Sequence, residues 1–155
     1  MGKTDIKKSE SESLANTQIE LHIHANPDYL CVVRTVVRQT VCIFGLQEDK
    51  AESITLSVVE ALTNVIRHSY GGSCEKPIVI GLNKIYCGDK NRPAVEIVIR
   101  DFGKQVDAEA IKSRDLDELR PGGVGVHIIH SVMDEVEFSH ANGCGMQLRL
   151  VKIVV

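Results

Sequence analysis

A carboxylate, an amide and an imidazole recur at helical spacing in the segment SVVEALTNVIRHSY, residues 57–70. Glu60, Asn64 and His68 are each four residues apart, so a helix would present them along one polar stripe. Three such groups in line can act together on a bound ligand. A solvated helix face that ends in a histidine would give the same pattern, so the stripe alone leaves both interpretations open.

A second candidate is Asp101, which follows the apolar segment VEIVIR and precedes Phe102 and Gly103. In eukaryotic-type protein kinases the same triplet carries the aspartate that holds magnesium, but their Gly-rich loop, Val-Ala-x-Lys segment and His-Arg-Asp loop are absent upstream. A chain of 155 residues makes one domain and does not fit their two lobes. Because Asp-x-Gly also favours a tight turn, Asp101 is either a ligand-binding residue or a turn residue.

Glycines cluster in the segment RPGGVGVHII, where Gly122, Gly123 and Gly125 come just before a predicted helix. Backbone N–H groups at a helix N-terminus can approach an anion, and the helix dipole favours negative charge there. The segment lacks the Gly-Lys-Ser/Thr of a Walker loop, and it lacks the third glycine and the βαβ unit of a dinucleotide fingerprint. It therefore predicts either a phosphate contact or a Gly-rich hinge.

Hydrophobic periodicity and turn residues predict the elements that would position these side chains. The segment QIELHIH alternates polar and apolar residues, as a half-buried strand does, and Asn26 followed by Pro27 is a typical helix start. Gly71 and Gly72 are expected to end the second helix. The predicted elements are a strand at 17–25, helices at 27–45 and 48–69, strands at 77–86 and 93–101, a short helix within 122–133, and strands at 135–140 and 145–155.

This order, β-α-α-β-β-α-β-β, predicts an α+β fold in two layers, with one mixed, mainly antiparallel sheet covered by helices on a single face. Residues 17–155 are expected to form this single domain. Residues 1–16 are polar, charged and Ser-rich, and they are expected to be a disordered tail.

Composition excludes several classes of protein. The net charge of -3, the pI near 6.1 and the lack of a basic cluster argue against direct contact with nucleic acid. No apolar run approaches the roughly 18 residues of a membrane span, and no lipidation signal is present. The five cysteines form no CxxC pair and follow no secretory signal, so we expect reduced thiols in a cytoplasmic protein and no cysteine-based metal site.

Taken together, in this order and spacing, the three signals resemble the ATP-binding boxes of the GHKL superfamily, which includes gyrase, Hsp90-type chaperones, MutL and histidine kinases. Within it, the segments ANPDYLCVVR, EALTNVIRHSY and RPGGVGVHIIHSVMDEVEF look like those of the small bacterial anti-sigma factor serine/threonine kinases of the RsbW/SpoIIAB type. The likeness covers about residues 18–152. It implies the GHKL (Bergerat) fold and an HATPase_c-type domain that binds ATP and Mg²⁺.

The resemblance assigns roles to the candidate residues. Asn64 would give a side-chain oxygen to Mg²⁺, which takes few protein ligands and completes its shell with waters and phosphate oxygens. Asp101 would accept a hydrogen bond from the adenine amino group, and Gly103 would allow the base to approach closely. The likeness of this triplet to that of the other protein kinases is then accidental.

Catalysis would rest on Glu60, which precedes Asn64 by one turn and could accept the proton of an attacking serine hydroxyl or orient that hydroxyl. His68 would close the helix and brace the ATP pocket. Arg120 would reach the terminal phosphate. The glycines that would wrap the phosphates as part of a mobile lid are Gly122, Gly123 and Gly125.

Partners follow only from the resemblance. Members of this family phosphorylate a serine or threonine of a STAS-domain anti-sigma-factor antagonist; many bind a sigma factor, and they commonly act as homodimers. Arg34 matches a residue of their partner surface, although an exposed helix arginine is as often only a solvated charge. Where these kinases often have Gly-Thr near the last turn, this chain has Gly143-Cys144-Gly145, which removes a hydroxyl expected to contact phosphate.

Two other functions remain open. One is a nucleotide-binding regulatory module of the same fold without kinase activity, although the presence of Glu60 argues against it. The other is a histidine kinase catalytic domain, which we do not expect because no dimerising helix with a phospho-accepting histidine precedes the fold.

Overall fold

Three α-helices and one five-stranded sheet make up the part of the chain that the computed structural model describes, residues 16–107 and 124–155. The predicted tail lies outside the described residues except for Asn16, and so do Arg120, Gly122 and Gly123. Among the described residues, the predicted order of elements is confirmed. The elements are β1 (Ile19–His24), α1 (Leu30–Ile43), α2 (Glu48–Asn64), β2 (Pro77–Cys87), β3 (Arg92–Arg100), α3 (Val124–Val132), β4 (Glu135–His140) and β5 (Met146–Ile153).

The strands pair in the order β1-β2-β3-β5-β4, and the four pairings between described strands are all antiparallel. The mainly antiparallel sheet is confirmed, and within the described residues no parallel pair makes it mixed. β3 is the central strand, and its last residue, Arg100, pairs with Val79 of β2 and with Gln147 of β5. Asp101 therefore leaves the sheet between two neighbouring strands, which fix the position of its backbone.

The helices cover one face of the sheet, because apolar residues repeat with the helical period in α1 and α2 and with a period of two in the strands. α2 lies between α1 and α3 and contacts both. Burial of each large apolar side chain stabilises the fold by about 1.5–3 kcal/mol. Over the described ranges, no helix combines the length and the apolar character needed to cross a bilayer. The buried core includes Val33, Val37, Val41, Ile54, Val58, Leu62, Ile80, Leu82, Ile97, Ile99 and Leu150.

The chain enters α1 as its sequence predicts. The Asn26 side chain accepts a hydrogen bond from the N–H of Asp28 at 3.0 Å, and a short 3₁₀ turn at Pro27–Tyr29 leads into the helix. A capping bond of this kind stabilises a helix by about 1 kcal/mol. The predicted start at Pro27 is therefore confirmed, with a tighter first turn than an α-helix has.

The end of α2 differs from the prediction in its geometry. After Asn64 the helix continues as a π-helical turn, Val65–Ser69, and the N–H of Tyr70 donates to the carbonyl of Val65 at 3.0 Å. The prediction of a helix to residue 69 is correct in extent, and its last turn has π-helical rather than α-helical geometry. A π turn holds more residues than an α turn, so it changes the direction in which the following side chains point.

The other face of the sheet carries a polar line that crosses four strands. Asn83 donates to Glu96 at 3.1 Å, and Arg149 donates to Glu96 at 2.7 Å and to Glu135 at 2.9 Å. Burial alone would lower the pKa of Arg149, but the hydrogen bonds to Glu96 and Glu135 outweigh it and raise the pKa above its ordinary value. This network explains how charged side chains are accommodated on a partly buried sheet surface.

Candidate active site

Glu60 and Asn64 lie one turn apart on α2, and both are half-buried where α2 faces the first turn of α3. A Cβ atom added to Gly125 would lie 2.8 Å from Oε2 of Glu60 and 3.6 Å from Nδ2 of Asn64. Only a glycine allows α3 to approach these two side chains so closely. Three of the predicted site residues are therefore in direct proximity.

The position of Gly125 corrects one prediction. The three glycines were expected to precede the helix, but α3 begins at Val124, so Gly125 belongs to its first turn and is buried. Gly125 therefore lies at the contact between α3 and Glu60 of α2, a tertiary contact that a local helix-start rule does not include. Gly122 and Gly123 lie outside the described residues.

Asp101 is buried, with 3% of its surface exposed, and its two carboxylate oxygens differ in their surroundings. Oδ1 accepts hydrogen bonds from the N–H groups of Gly103 at 2.9 Å and of Met146 at 3.3 Å. Oδ2 accepts only a long hydrogen bond from the Ser69 hydroxyl, at 3.4 Å, among the described residues. Oδ2 therefore has room for a further donor, which is the property needed to bind an exocyclic amino group such as that of adenine.

Gly103 permits a second close approach. A Cβ atom at this position would lie 2.9 Å from the carbonyl oxygen of Ser69 and 3.4 Å from Oδ1 of Asp101. A larger residue would separate the segment 101–103, here called the Asp101 turn, from the end of α2. The glycine of the Asp-x-Gly motif thus keeps the turn and the helix end in contact.

Tyr70 joins the Asp101 turn to the beginning of β2, a role that the sequence did not reveal. Its hydroxyl donates to the carbonyl of Pro77 at 2.5 Å and accepts a hydrogen bond from the N–H of Phe102 at 2.8 Å. Burial raises the pKa of Tyr70 above its ordinary value; the Phe102 N–H opposes this shift, and the charge of Asp101 adds to it. The hydroxyl therefore stays protonated as a donor at neutral pH.

His68 does not share the environment of the other two members of the stripe. It is exposed, and it makes no hydrogen bond within the described part of the chain. The stripe was inferred for a regular helix, and the π turn at Val65–Ser69 changes the direction of residues that follow Asn64. Ser69 and Tyr70, rather than His68, contact the Asp101 turn.

Arg100 supports the same turn from the other side, and sequence reasoning also missed it. Its buried guanidinium donates to the carbonyls of Asp101, of Cys144 at 2.6 Å and of Asn142 at 3.2 Å. It also stacks on the Phe102 ring, with 4.4 Å from Cζ to the ring centroid. The signal in the sequence that could have revealed this role is an arginine at the end of a buried strand, next to a candidate aspartate.

The segment Gly143-Cys144-Gly145 packs against this turn. Gly145 has a φ of +77°, and a Cβ atom there would lie 2.1 Å from the carbonyl oxygen of Asp101. The expectation that this departure from the family pattern removes a phosphate contact stays a prediction. The structure adds that Gly145 lies against the backbone of Asp101 and Phe102.

The residues present suit a weakly held Mg²⁺ ion better than a dedicated metal cage. In residues 16–107 and 124–155, no group of three or more His, Cys, Asp or Glu side chains could hold a metal, and all five cysteines are free. Mg²⁺ needs only one or two protein oxygens when phosphate oxygens and waters complete its shell. The half-buried amide of Asn64, beside the carboxylate of Glu60, can supply such an oxygen.

The fold and the site define an ATPase domain of the type found in histidine kinases. The model of the histidine kinase-like ATPase domain family matches residues 23–152. The fold is also similar to that in the crystal structure of the SiaB-SiaC complex from Pseudomonas aeruginosa, with a TM-score of 0.61 and 15% identity over 92% of this chain and 94% of that one. Membership of this domain family implies that the protein binds ATP.

Curated relatives define the family more closely. The serine-protein kinase RsbW of Staphylococcus epidermidis is 32% identical over 133 residues, which cover 81% of this chain and 80% of the relative. The serine-protein kinase RsbW of Oceanobacillus iheyensis is 30% identical over 133 residues, with the same coverage of both chains. The chain belongs to the RsbW family of serine-protein kinases, within the histidine kinase-like ATPase domains.

Proposed function

We propose that the protein transfers the terminal phosphoryl group of ATP to a serine or threonine of a STAS-domain anti-sigma-factor antagonist, and that it acts as an anti-sigma factor in a partner-switching pathway. The observation that carries the proposal is the pairing of Glu60 and Asn64 behind Gly125. A proton acceptor and an amide oxygen lie in the last turns of α2, and a buried carboxylate that can accept the adenine amino group lies just beyond the same end of the helix. This arrangement suits a kinase site.

The base would bind at the Asp101 end. Oδ2 of Asp101 accepts a hydrogen bond from the adenine amino group, while Gly103 and Met146 hold Oδ1. Because the carboxylate is buried and already oriented, little ordering is needed when the nucleotide binds. This end of the site therefore supplies selectivity for adenine.

The reaction would take place at the Glu60 end. The serine hydroxyl oxygen forms a bond to the γ-phosphorus, the bond from the γ-phosphorus to the leaving oxygen of ADP breaks, and the Glu60 carboxylate takes the hydroxyl proton. General base catalysis of this kind contributes about 10²–10⁴-fold. Mg²⁺ held by Asn64 would neutralise charge on the phosphates. Arg120 is proposed to contact the terminal phosphate, together with Gly122 and Gly123.

A groove between α1 and α2 supports a role for Arg34 in partner binding. Arg34 is exposed and makes no ion pair within the described residues, whereas Arg38 pairs with Glu48 at 2.6 Å. The groove shares no residue with the nucleotide site, so a partner could bind there while ATP is present. Its volume is about 180 Å³, and it is lined by Arg34, Thr35, Arg38, Gln39, Glu52 and Thr55.

The remaining parts of the proposal rest on the family. A sigma factor as a second partner, a homodimeric state and a cytoplasmic location are typical of the family that the chain resembles. The five free thiols agree with a reducing compartment.

The test is phosphotransfer from labelled ATP, with Mg²⁺, to candidate STAS-domain proteins from the same genome. We expect label on serine or threonine of one candidate. Glu60→Gln should reduce the rate of phosphotransfer at least about 10²-fold while the affinity for ATP changes little, because the glutamine amide keeps the shape of the side chain but accepts no proton. Glu137→Gln, an exposed change on β4, is the matched control and should behave as wild type. Tight ATP binding without transfer to any candidate would contradict the kinase proposal and favour a nucleotide-binding module.

A further inference from the structure

We propose that the π-helical turn at the end of α2 positions Asp101, through the hydroxyls of Ser69 and Tyr70, and thereby determines the preference for adenine over hypoxanthine. The inference rests on the proposed role of Asp101 as the adenine acceptor. Ser69 and Tyr70 are positioning residues, because they act through Asp101 and not on the nucleotide itself.

Tyr70 holds the backbone that carries the carboxylate. Its hydroxyl accepts a hydrogen bond, 2.8 Å long, from the backbone N–H of Phe102, the residue directly after Asp101. That hydroxyl also donates to the carbonyl of Pro77 at 2.5 Å, so it is tied to β2 as well as to the turn. Fixing the peptide after Asp101 fixes the direction in which the Asp101 side chain leaves the chain.

The ring of Tyr70 is itself held in place. It is 5% exposed, and the ammonium group of Lys76 lies 5.2 Å from its centroid. A buried hydroxyl with one donor and one acceptor as partners has little freedom to move. Removal of that hydroxyl would leave the Phe102 N–H and the Pro77 carbonyl without their partner, and we expect the turn to shift in response.

Ser69 acts on the carboxylate directly. Its hydroxyl lies 3.4 Å from Oδ2 of Asp101, the oxygen proposed to bind the adenine amino group. Its carbonyl oxygen lies against the backbone of Gly103, where a Cβ atom would be only 2.9 Å away. Ser69 therefore limits the rotation of the same carboxylate whose backbone Tyr70 holds.

The π turn brings both hydroxyls to the same place. Its wide hydrogen bond runs from the N–H of Tyr70 to the carbonyl of Val65, five residues earlier, at 3.0 Å. A further bond, from the N–H of Gly72 to the carbonyl of Ile66 at 2.8 Å, closes the end of the helix. In a regular α-helix the N–H of Tyr70 would bond to Ile66 instead, and successive side chains would turn by about 100° per residue. π turns often occur at functional sites, and here the wide turn directs two neighbouring residues toward Asp101.

The experiment compares the binding of ADP and IDP, with Mg²⁺, by calorimetry. The two nucleotides differ at the base, where IDP has a carbonyl in place of the amino group that Asp101 is proposed to bind. Wild type is expected to prefer ADP by about 10- to 100-fold, because a hydrogen bond to a charged group is lost with IDP. We expect Tyr70→Phe to weaken ADP binding about tenfold and to leave IDP binding within about twofold, so the preference falls.

Control variants separate positioning from general destabilisation. Tyr86→Phe removes a hydroxyl from a tyrosine that is 60% exposed on β2, and it should keep the wild-type preference. Ser69→Ala should also lower the preference, and it provides a second test if Tyr70→Phe does not fold. A merely structural role would lower the melting temperature and leave the ratio of the two affinities unchanged.

The outcomes distinguish the inference from the function on which it rests. If wild type does not prefer ADP and Asp101→Asn changes nothing, Asp101 does not read the base, and both ideas are wrong. If wild type prefers ADP, Asp101→Asn abolishes the preference, and Tyr70→Phe and Ser69→Ala both retain it, the positioning inference alone is refuted.

Discussion

Replacement of Gly125 by alanine should separate catalysis from stability. The added Cβ atom would lie 2.8 Å from Oε2 of Glu60, whereas ordinary contact begins at 3.4 Å, so the carboxylate must move by about 0.6 Å. The oxygen is at the free end of a flexible side chain, so it can move without unfolding the protein. The substitution therefore displaces the proposed base and leaves the fold intact.

The expected magnitudes follow from this displacement. A misplacement of 1 Å in an active site can cost about 10²-fold in rate, so we expect kcat for phosphotransfer to fall about 10- to 100-fold. The free energy of unfolding should stay the same or rise by up to about 1 kcal/mol, because alanine is favoured over glycine in a helix. A variant that is at least as stable and much slower would be the characteristic result for Gly125→Ala.

The assay measures kcat and KM for ATP with the unphosphorylated STAS-domain protein that the phosphotransfer test identifies as substrate, together with urea unfolding. Gly88→Ala is the matched control, because Gly88 has a φ of +69° in the β2–β3 turn and nothing lies within 4 Å of an added Cβ atom. It should lose about 1–2 kcal/mol of stability and keep wild-type kcat. Wild-type kcat in Gly125→Ala would refute the reasoning that Glu60 must stay against Gly125 to act.

Two further perturbations test the Asp101 turn. Gly145→Ala should lower the free energy of unfolding by more than about 2 kcal/mol. The residue has a φ of +77°, and its Cβ atom would lie 2.1 Å from the Asp101 carbonyl oxygen. Unchanged urea unfolding would contradict this packing. Stability should also fall as pH rises above about 10, because burial raises the pKa of Tyr70 in the folded protein and the unfolded chain releases its proton first. Urea unfolding between about pH 9.5 and 11.5 should show a smaller fall in Tyr70→Phe, and an equal fall would exclude Tyr70 as its source.

The general architecture was predictable because each element follows from local patterns. The alternation at Ile19, Leu21 and Ile23 specified a strand with one buried face, and Asn26 with Pro27 specified a helix start. The antiparallel pairing of β2 with β3 and of β4 with β5 then followed from the short connections within each pair, whereas the β1–β2 and β3–β5 pairings join strands distant in sequence. The bounds of these elements in the structure agree with the prediction to within a few residues.

The details of the site were less predictable because they depend on residues distant in sequence. The sequence of Val65–Ser69 fits a regular helix, and the π turn there is accompanied by contacts of Tyr70 with Pro77 and Phe102, which are distant in sequence. The same is true of Gly125, which a local rule placed before the helix. A close approach between two helices depends on tertiary packing, which local sequence patterns do not specify.

The π turn also has a consequence for how such a chain can change by insertion and deletion. Glu60 and Asn64 precede the turn and Ser69 and Tyr70 follow it, so one residue more or less within Val65–Ser69 would rotate the second pair and leave the first pair in place. A deletion that restored a regular helix would therefore alter the contact with the base while the reacting end stayed unchanged. If the proposed roles hold, nucleotide preference and phosphotransfer depend on separable parts of a single helix, and a change in the length of its π turn acts on the first of them alone.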